Sequence, residues 1–203
     1  MSYSFDEKAK ELIPYYQHFK VNQRLLFTGH SHQAWPDVAL EGQTEYFHDS
    51  ANLVDKKWDA AFEKTEILRS YLREFYDDPD GLYCREESTH FLFVSLMSAW
   101  DLIQKPKIIT TEGEFYSLYR QLARLSETGL DVVKIPAGIS DDFVENIRKN
   151  LDDKTSAVMI SRVYFQNSLI NPHLSEIAEL CSHVYNLYNV YFCTLPVKIT
   201  SIY

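Results

Sequence analysis

Helical spacing of apolar residues dominates the first third of the chain. Apolar side chains return every three to four residues over Asp55–Phe75, which predicts an amphipathic helix. The same spacing predicts a first helix over Phe5–Phe19, interrupted at Pro14, and another over about Pro36–His48 with the proline in its first turn. Between these two helices, the short apolar run Arg24–Phe27 predicts a strand.

The pattern changes after the turn sequence Asp77–Gly81, where strands and helices begin to alternate. Apolar runs predict four strands, at Lys107–Thr110, Asp131–Ile135, Ala157–Ser161 and Val190–Cys193. Helices are predicted at His90–Leu102, at Phe115–Leu125, after Ser140 and after Asn171. The segment His90–Leu102 is apolar on nearly every side, which predicts a helix buried on most of its surface.

Strand and helix units repeated in this way produce a mostly parallel sheet with helices on both faces. We therefore predict an α/β fold with three layers, helix, sheet and helix. Residues 1–80 are predicted to form an N-terminal helical segment and residues 81–203 an α/β domain.

Composition narrows the class of protein. The chain has 20 basic and 29 acidic residues, a net charge of −9, which argues against a nucleic-acid-binding protein because phosphates need a basic surface. No apolar run approaches a membrane span, and the polar, acidic N-terminus is unlike a secretory signal. Three isolated cysteines are typical of reduced thiols. We therefore expect a cytoplasmic protein with neither nucleic acid nor membrane as a partner.

Ser88 and Thr89 stand at the start of a predicted helix. Their hydroxyls and the unpaired backbone N–H groups of a first helical turn would suit a phosphate. The alternative is that Ser88 is an ordinary N-cap. An aromatic residue, Phe115, follows the strand Lys107–Thr110 and the loop Glu112-Gly113-Glu114. It could cover a flat cofactor ring, or it could be the first core residue of the next helix.

His30 and His32 are two residues apart, so both would lie on one side of an extended segment and could bind a metal. A third ligand at a recognisable spacing is missing, as are the HExxH, GxGxxG, P-loop and GxSxG motifs. A metal-dependent hydrolase built on these two histidines is therefore the weakest of the functional hypotheses.

Four segments, in their order and spacing, resemble kynureninase and its relatives, the class V aminotransferase-like enzymes of fold type I that use pyridoxal 5′-phosphate. These segments are Phe27–His32, Ser88–Leu92, Glu114–Ser117 and Ile160–Asn167. The resemblance covers about residues 25–192 and implies that residues 81–203 form part of the large, cofactor-binding domain. It further implies an amino acid as substrate, and either a homodimer or a dimer with a full-length relative.

The resemblance also implies roles for individual residues. Ser88 and Thr89 match the positions that hold the cofactor phosphate, and Phe115 matches the aromatic residue that stacks on the pyridine ring. Ser117 lies in the same cofactor-facing turn. Ser161 and Tyr164 match positions in a loop near the cofactor. His30 and Ser31 match an asparagine and a serine in the N-terminal loop near the substrate. His30 replaces an asparagine of the family, and Leu118 replaces an aspartate of kynureninases. The resemblance therefore does not identify the substrate.

The last segment departs from the family. There, the final strand leads to an aspartate that pairs with the pyridinium nitrogen, and a Schiff-base lysine follows further on. Here the strand Val190–Cys193 is followed by Thr194 and Leu195, and the only later lysine, Lys198, comes too early to match. We expect a C-terminally truncated relative, from a frameshift or premature stop, with a repurposed short protein as the competing explanation.

These observations lead to a functional expectation. The parent activity would be pyridoxal-phosphate-dependent cleavage of a kynurenine-type amino acid, or a related lyase or transaminase step. The chain itself would be inactive and would bind the cofactor weakly or not at all, because both catalytic anchors are missing. The alternative is a non-catalytic scaffold or dimerisation module derived from the same fold.

Overall fold

The computed structural model describes residues 5–26, 33–137, 140, 142–181, 188–192 and 199–200. Side chains are described up to Cys181. The chain divides into two compact units, Met1–Tyr71 and Leu72–Tyr203. Within the described residues, no helix is both long and apolar enough to cross a lipid bilayer.

The described part of the first unit is helical. Helix α1 (Phe5–Leu12) continues into a 3₁₀ turn at Ile13–Tyr15, and α2 spans Val38–Leu53. After a second 3₁₀ turn, α3 spans Lys57–Phe75 and ends in the second unit. The predicted interruption at Pro14 is confirmed, since proline has no N–H for a continuing α-helix.

The predicted strand at Arg24–Phe27 is wrong for the three residues that the structure describes. Arg24, Leu25 and Leu26 form a bend and irregular chain, and Leu25 is 85% exposed. A short apolar run becomes a strand only where another strand accepts its hydrogen bonds, and the run itself carries no information on such a partner.

The second unit alternates helices and strands as predicted. Its helices are α4 (Thr89–Ser98), α5 (Tyr116–Ser126), α6 (Phe143–Asn150) and α7 (Leu174–Glu179). Its strands are β1 (Lys107–Thr111), β2 (Asp131–Ile135), β3 (Thr155–Ser161), β4 (Tyr188–Phe192) and β5 (Ile199–Thr200). Gly129 lies in the turn after α5. Its φ is +110°, a backbone conformation that favours glycine.

The strands form one sheet in the order β2-β1-β3-β4-β5. The first four are parallel, and β5 pairs antiparallel with the outer side of β4. Strand β3 is central, and all seven of its residues are buried, both the apolar run Ala157–Ile160 and the polar residues at its two ends.

Helices cover both faces of this sheet. On one face, α4 and α5 pack through Phe93, Met97, Leu118 and Leu122 against alternate residues of β1 and β3. On the other face, a second core joins α6 and α7 to the intervening strand residues, Ile109, Val158 and Ile160. The predicted three-layer α/β fold is therefore confirmed.

Helix α4 is less buried than its sequence suggested. Phe93 and Met97 are buried, but Phe91 and Val94 are 50% and 42% exposed. The prediction of a helix buried on most sides is therefore wrong, because α4 lies on the sheet with one face and its apolar opposite side has no described neighbour covering it.

Candidate functional site

From two neighbouring strands of the sheet, the chain continues in opposite directions. Neighbouring strands β1 and β3 continue into α5 on one face and α7 on the other, and their next strands, β2 and β4, lie on opposite sides of the pair. In parallel α/β sheets, such a divergence leaves a crevice at the carboxyl ends of the two strands, where ligands bind. The candidate site is therefore at the ends of β1 and β3.

A buried carboxylate, that of Glu114, joins the two strand ends. The Thr111 hydroxyl donates to its Oε1 at 2.7 Å, and the Ser161 backbone N–H donates to the same oxygen at 3.0 Å. The Ser161 hydroxyl donates to Oε2 at 2.6 Å. Glu114 is only 4% exposed, so these bonds form in a largely water-free environment.

Burial raises the pKa of Glu114, and the hydrogen bonds from Ser161 and Thr111 offset part of that rise. All three donors are uncharged groups of the protein, two hydroxyls and one amide. A carboxylate held in this way retains an energetic cost of desolvation that a salt bridge would reduce.

The raised pKa predicts a pH-dependent difference between the wild type and Glu114→Gln. Above the ordinary value of 4.5, the unfolded chain loses this proton while the folded chain still holds it. The wild type therefore loses stability as the pH rises through this window to the folded pKa, and the neutral glutamine does not. Urea unfolding of both proteins between pH 4.5 and about 8 should show the free energy of unfolding of the variant rising relative to that of the wild type. Parallel pH profiles would contradict the raised pKa.

Two aromatic rings stand beside this carboxylate. Phe115 directly precedes α5, and its ring lies edge-on to that of Phe165, with ring centroids 5.5 Å apart. Phe115 is 47% exposed and Phe165 is 53% exposed, so neither ring belongs to the core. Of the two interpretations of Phe115, the core residue is excluded, and a ring that faces a ligand is still possible.

The start of α4 lies at the same edge of the sheet. Helix α4 packs on β1, and its last residues lead through a short loop into the amino end of that strand. Its first turn is therefore directed toward the carboxyl end, where α5 also begins. Ser88 is the N-cap, and its oxygen accepts a long hydrogen bond of 3.4 Å from the Phe91 N–H. The N-cap interpretation is confirmed, and Thr89 follows as the first helical residue.

The remaining matched residues near the strand ends differ in accessibility. Ser117 lies in the first turn of α5 and is partly buried. Tyr164 is 2% exposed, burial raises its pKa, and its hydroxyl has no hydrogen bond of ordinary geometry among the described residues. Its ring occupies the space where a side chain at Gly113 would lie, since a Cβ there would come within 3.0 Å of the ring.

Two predicted substrate residues, His30 and Ser31, lie outside the described residues, as does His32. Their roles stay predictions, and so does the metal hypothesis. Within the described ranges, no three His, Cys, Asp or Glu side chains are grouped closely enough to hold a metal ion.

The structure thus connects Phe115 and Ser161 through Glu114, a residue that the sequence did not single out. Its partner Ser161 is 47 positions away, so no local pattern could reveal the pair. One available signal was an acidic residue directly before an aromatic residue, just after a buried strand.

The fold is similar to that of solved structures. The cystine C–S lyase C-DES, as a K223A variant with glycine covalently linked to its pyridoxal phosphate cofactor, matches 88% of this chain and 48% of its own, with a TM-score of 0.67 and 18% identity. C-DES in complex with its reaction product, cysteine persulfide, matches 79% of this chain and 44% of its own, with a TM-score of 0.60 and 18% identity.

These similarities show the fold alone, because the sequences are so different. The chain has the α/β fold of a pyridoxal-phosphate-bearing fold type I enzyme and spans about half the length of the matched structures. No family model matches the sequence, and no curated protein matches it. Both matched structures are of the C–S lyase C-DES, and the α/β fold that they share with this chain is as predicted, whereas the kynureninase assignment stays a prediction.

Proposed function

We propose that this chain forms the phosphate- and ring-binding side of a pyridoxal 5′-phosphate site, within a fold type I enzyme that acts on an amino acid. One observation carries the proposal most strongly. The start of α4, the exposed ring of Phe115 and the end of β3 are all directed toward the carboxyl edge of the sheet, where the strand order diverges.

The residues present suit such a cofactor. A phosphate is favoured at the N-terminus of α4, because the first helical turn has unpaired N–H groups and begins with two hydroxyl residues, Ser88 and Thr89. A flat heteroaromatic ring is favoured against Phe115, since this aromatic side chain is half-exposed rather than packed in the core.

Bound pyridoxal phosphate would supply an electron sink for carbanions formed at an amino acid substrate. The protein's own residues would bind and orient it. Thr89 and Ser88 would donate hydrogen bonds to its phosphate, and Phe115 would cover one face of its ring and exclude water from it. Ser117, in the first turn of α5, completes the polar side of this surface.

The 203-residue chain is proposed to bind the cofactor without covalent attachment and to catalyse no turnover by itself. In the family, an aspartate that pairs with the pyridinium nitrogen follows the strand that matches β4. In this sequence, Cys193 and Thr194 follow β4 instead. Without a carboxylate there, the ring nitrogen is not held protonated by the protein. Cleavage of a kynurenine-type amino acid, with His30 and Ser31 at the substrate, is proposed for the parent enzyme.

Binding of the cofactor tests this proposal. We expect pyridoxal 5′-phosphate to bind the 203-residue chain at least about tenfold more tightly than pyridoxal, because charge-assisted hydrogen bonds at the helix terminus recognise the phosphate. Equilibrium dialysis of both compounds measures this, and borohydride followed by mass spectrometry detects covalent attachment. Equal affinities would contradict the phosphate site, and a single stoichiometrically labelled lysine would contradict non-covalent binding.

A second candidate function, association through the helical unit, is favoured by a different observation. None of the residues of α2 and α3 is buried. Their large exposed apolar side chains include Tyr46, Phe47, Trp58, Phe62, Ile67 and Tyr71. Covering such a surface with a second copy of the chain would remove apolar area from water.

Sedimentation equilibrium at micromolar concentration tests association. We expect a dimer that Phe62→Ser weakens and Glu63→Ser leaves intact, because only the first change removes apolar area from α3. A monomer at every concentration would exclude self-association through this surface.

A further inference from the structure

We propose that Glu114 is a positioning residue, which ties the segment after β1 to the end of β3 and so holds the Phe115–Phe165 ring pair in place as the aromatic wall of the site. The inference rests on the proposed function, because it assigns a role within that same cofactor surface. Glu114 itself is buried and does not touch the ligand.

The first step of the argument is the connection between two loops. The Glu114 carboxylate accepts from Thr111 on its own strand end and from both the backbone and the side chain of Ser161. Bonds to both oxygens fix the carboxylate in two directions, whereas a single bond would allow rotation. The backbone of Glu114 therefore has one preferred position relative to β3.

The second step is the placement of the rings. Phe115 is the residue after Glu114, so its backbone position follows from the anchored carboxylate. Phe165 is the residue after Tyr164, whose ring packs against Gly113. The pairs Glu114–Ser161 and Gly113–Tyr164 thus hold both segments together immediately before the two exposed rings. Each ring is about half-exposed, so the core contributes little to its orientation.

The third step concerns Ser161. A serine hydroxyl has one hydrogen, and that of Ser161 is donated to Glu114 Oε2. Ser161 is also only 6% exposed. It therefore acts on a bound ligand through Glu114 and the ring pair, and it has no second hydrogen to donate to a phosphate.

The experiment measures pyridoxal 5′-phosphate affinity of the full chain for three variants, well below their unfolding temperatures. We expect Glu114→Ala to weaken binding about tenfold. In this variant Phe115 loses its fixed position, so ligand binding must also immobilise its ring, at a cost in affinity. Glu114→Gln should bind within about threefold of the wild type, because its amide can reproduce the pattern, accepting from Thr111 and the Ser161 N–H and donating to the Ser161 oxygen. Thr111→Val should weaken binding about threefold, although Thr111 is 1% exposed and cannot reach a ligand.

A structural readout without ligand separates this inference from the proposed function. Aromatic nuclear Overhauser effects between Phe115 and Phe165 should be present in the wild type and in Glu114→Gln, and weakened or lost in Glu114→Ala. If the wild type binds no pyridoxal 5′-phosphate, the proposed function fails, and these ring contacts alone decide the role of Glu114. Unchanged affinity and unchanged ring contacts in Glu114→Ala would overturn the inference. If Glu114→Ala does not fold, Thr111→Val decides: wild-type affinity and wild-type ring contacts in that variant would overturn it.

Discussion

Replacing Glu114 with alanine is expected to lower the free energy of unfolding by about 2–4 kcal/mol, since it leaves buried donors of Thr111 and Ser161 without an acceptor. The Ser161 backbone N–H contributes most to this cost, because it cannot rotate toward another partner. Removal of the buried charge offsets part of this cost. The expected loss in the free energy of unfolding is therefore smaller than the sum of the losses for three separate hydrogen bonds. Urea denaturation at pH 7, followed by circular dichroism, measures the change.

Glu112→Ala is the matched control for this substitution. Glu112 lies in the same loop and carries the same charge, but its side chain is exposed. We expect a change within about 0.5 kcal/mol, as is usual for surface substitutions. If the two alanine variants are equally stable, the Glu114 carboxylate does not join the strand ends.

The second large effect is expected on binding rather than on stability. Phe115→Ala should weaken pyridoxal 5′-phosphate binding about fivefold to thirtyfold, because stacking of an aromatic side chain on a flat ring contributes about 1–2 kcal/mol. The free energy of unfolding should change little, since the ring of Phe115 is 47% exposed and contacts mainly Phe165.

Tyr119→Ala is the matched control for Phe115→Ala. Tyr119 lies one turn further along α5 with a similar exposed fraction of 42%, and its ring contacts the Lys134 ammonium at 4.2 Å. We expect wild-type affinity for this variant. Equal weakening by both substitutions would indicate a general loss of α5 structure and would remove the specific role of Phe115.

The layered fold could be predicted from the sequence because its signals are local. The fully buried strand β3 contains the continuous apolar run Ala157–Ile160, and Leu118 and Leu122 on α5 mark a single buried helical face. The turn at Gly129 also has a local signal in the sequence, because glycine readily adopts the positive φ that this turn has. These features depend on neighbours within a few residues.

The errors in the sequence-based prediction concern partners that are distant in the chain. Leu25 and Leu26 have strand-like character but no strand beside them in the described residues. The apolar residues Phe91 and Val94 on α4 could have been covered by another element, and they are exposed instead. Burial of a given face is decided by what packs on it, which an isolated segment does not specify.

The candidate site was predictable in its location but not in its internal connections. Ser88 as a helix cap and Phe115 at the end of a strand follow from local pattern and from the general position of ligands in α/β sheets. The hydrogen bonds of Glu114 depend on the register between β1 and β3, in which Thr110 lies opposite Met159. That register emerges only when the sheet forms.

Hydrogen exchange of the full chain with and without pyridoxal 5′-phosphate tests the central claim most directly, because it locates the ligand without requiring catalysis. We expect slower amide exchange in three segments, residues 88–91, 112–117 and 161–165, and unchanged exchange at the opposite edge of the sheet around Lys105 and Lys154. Protection confined to other parts of the chain, or no protection at saturating cofactor, would contradict a pyridoxal phosphate site at the carboxyl ends of β1 and β3.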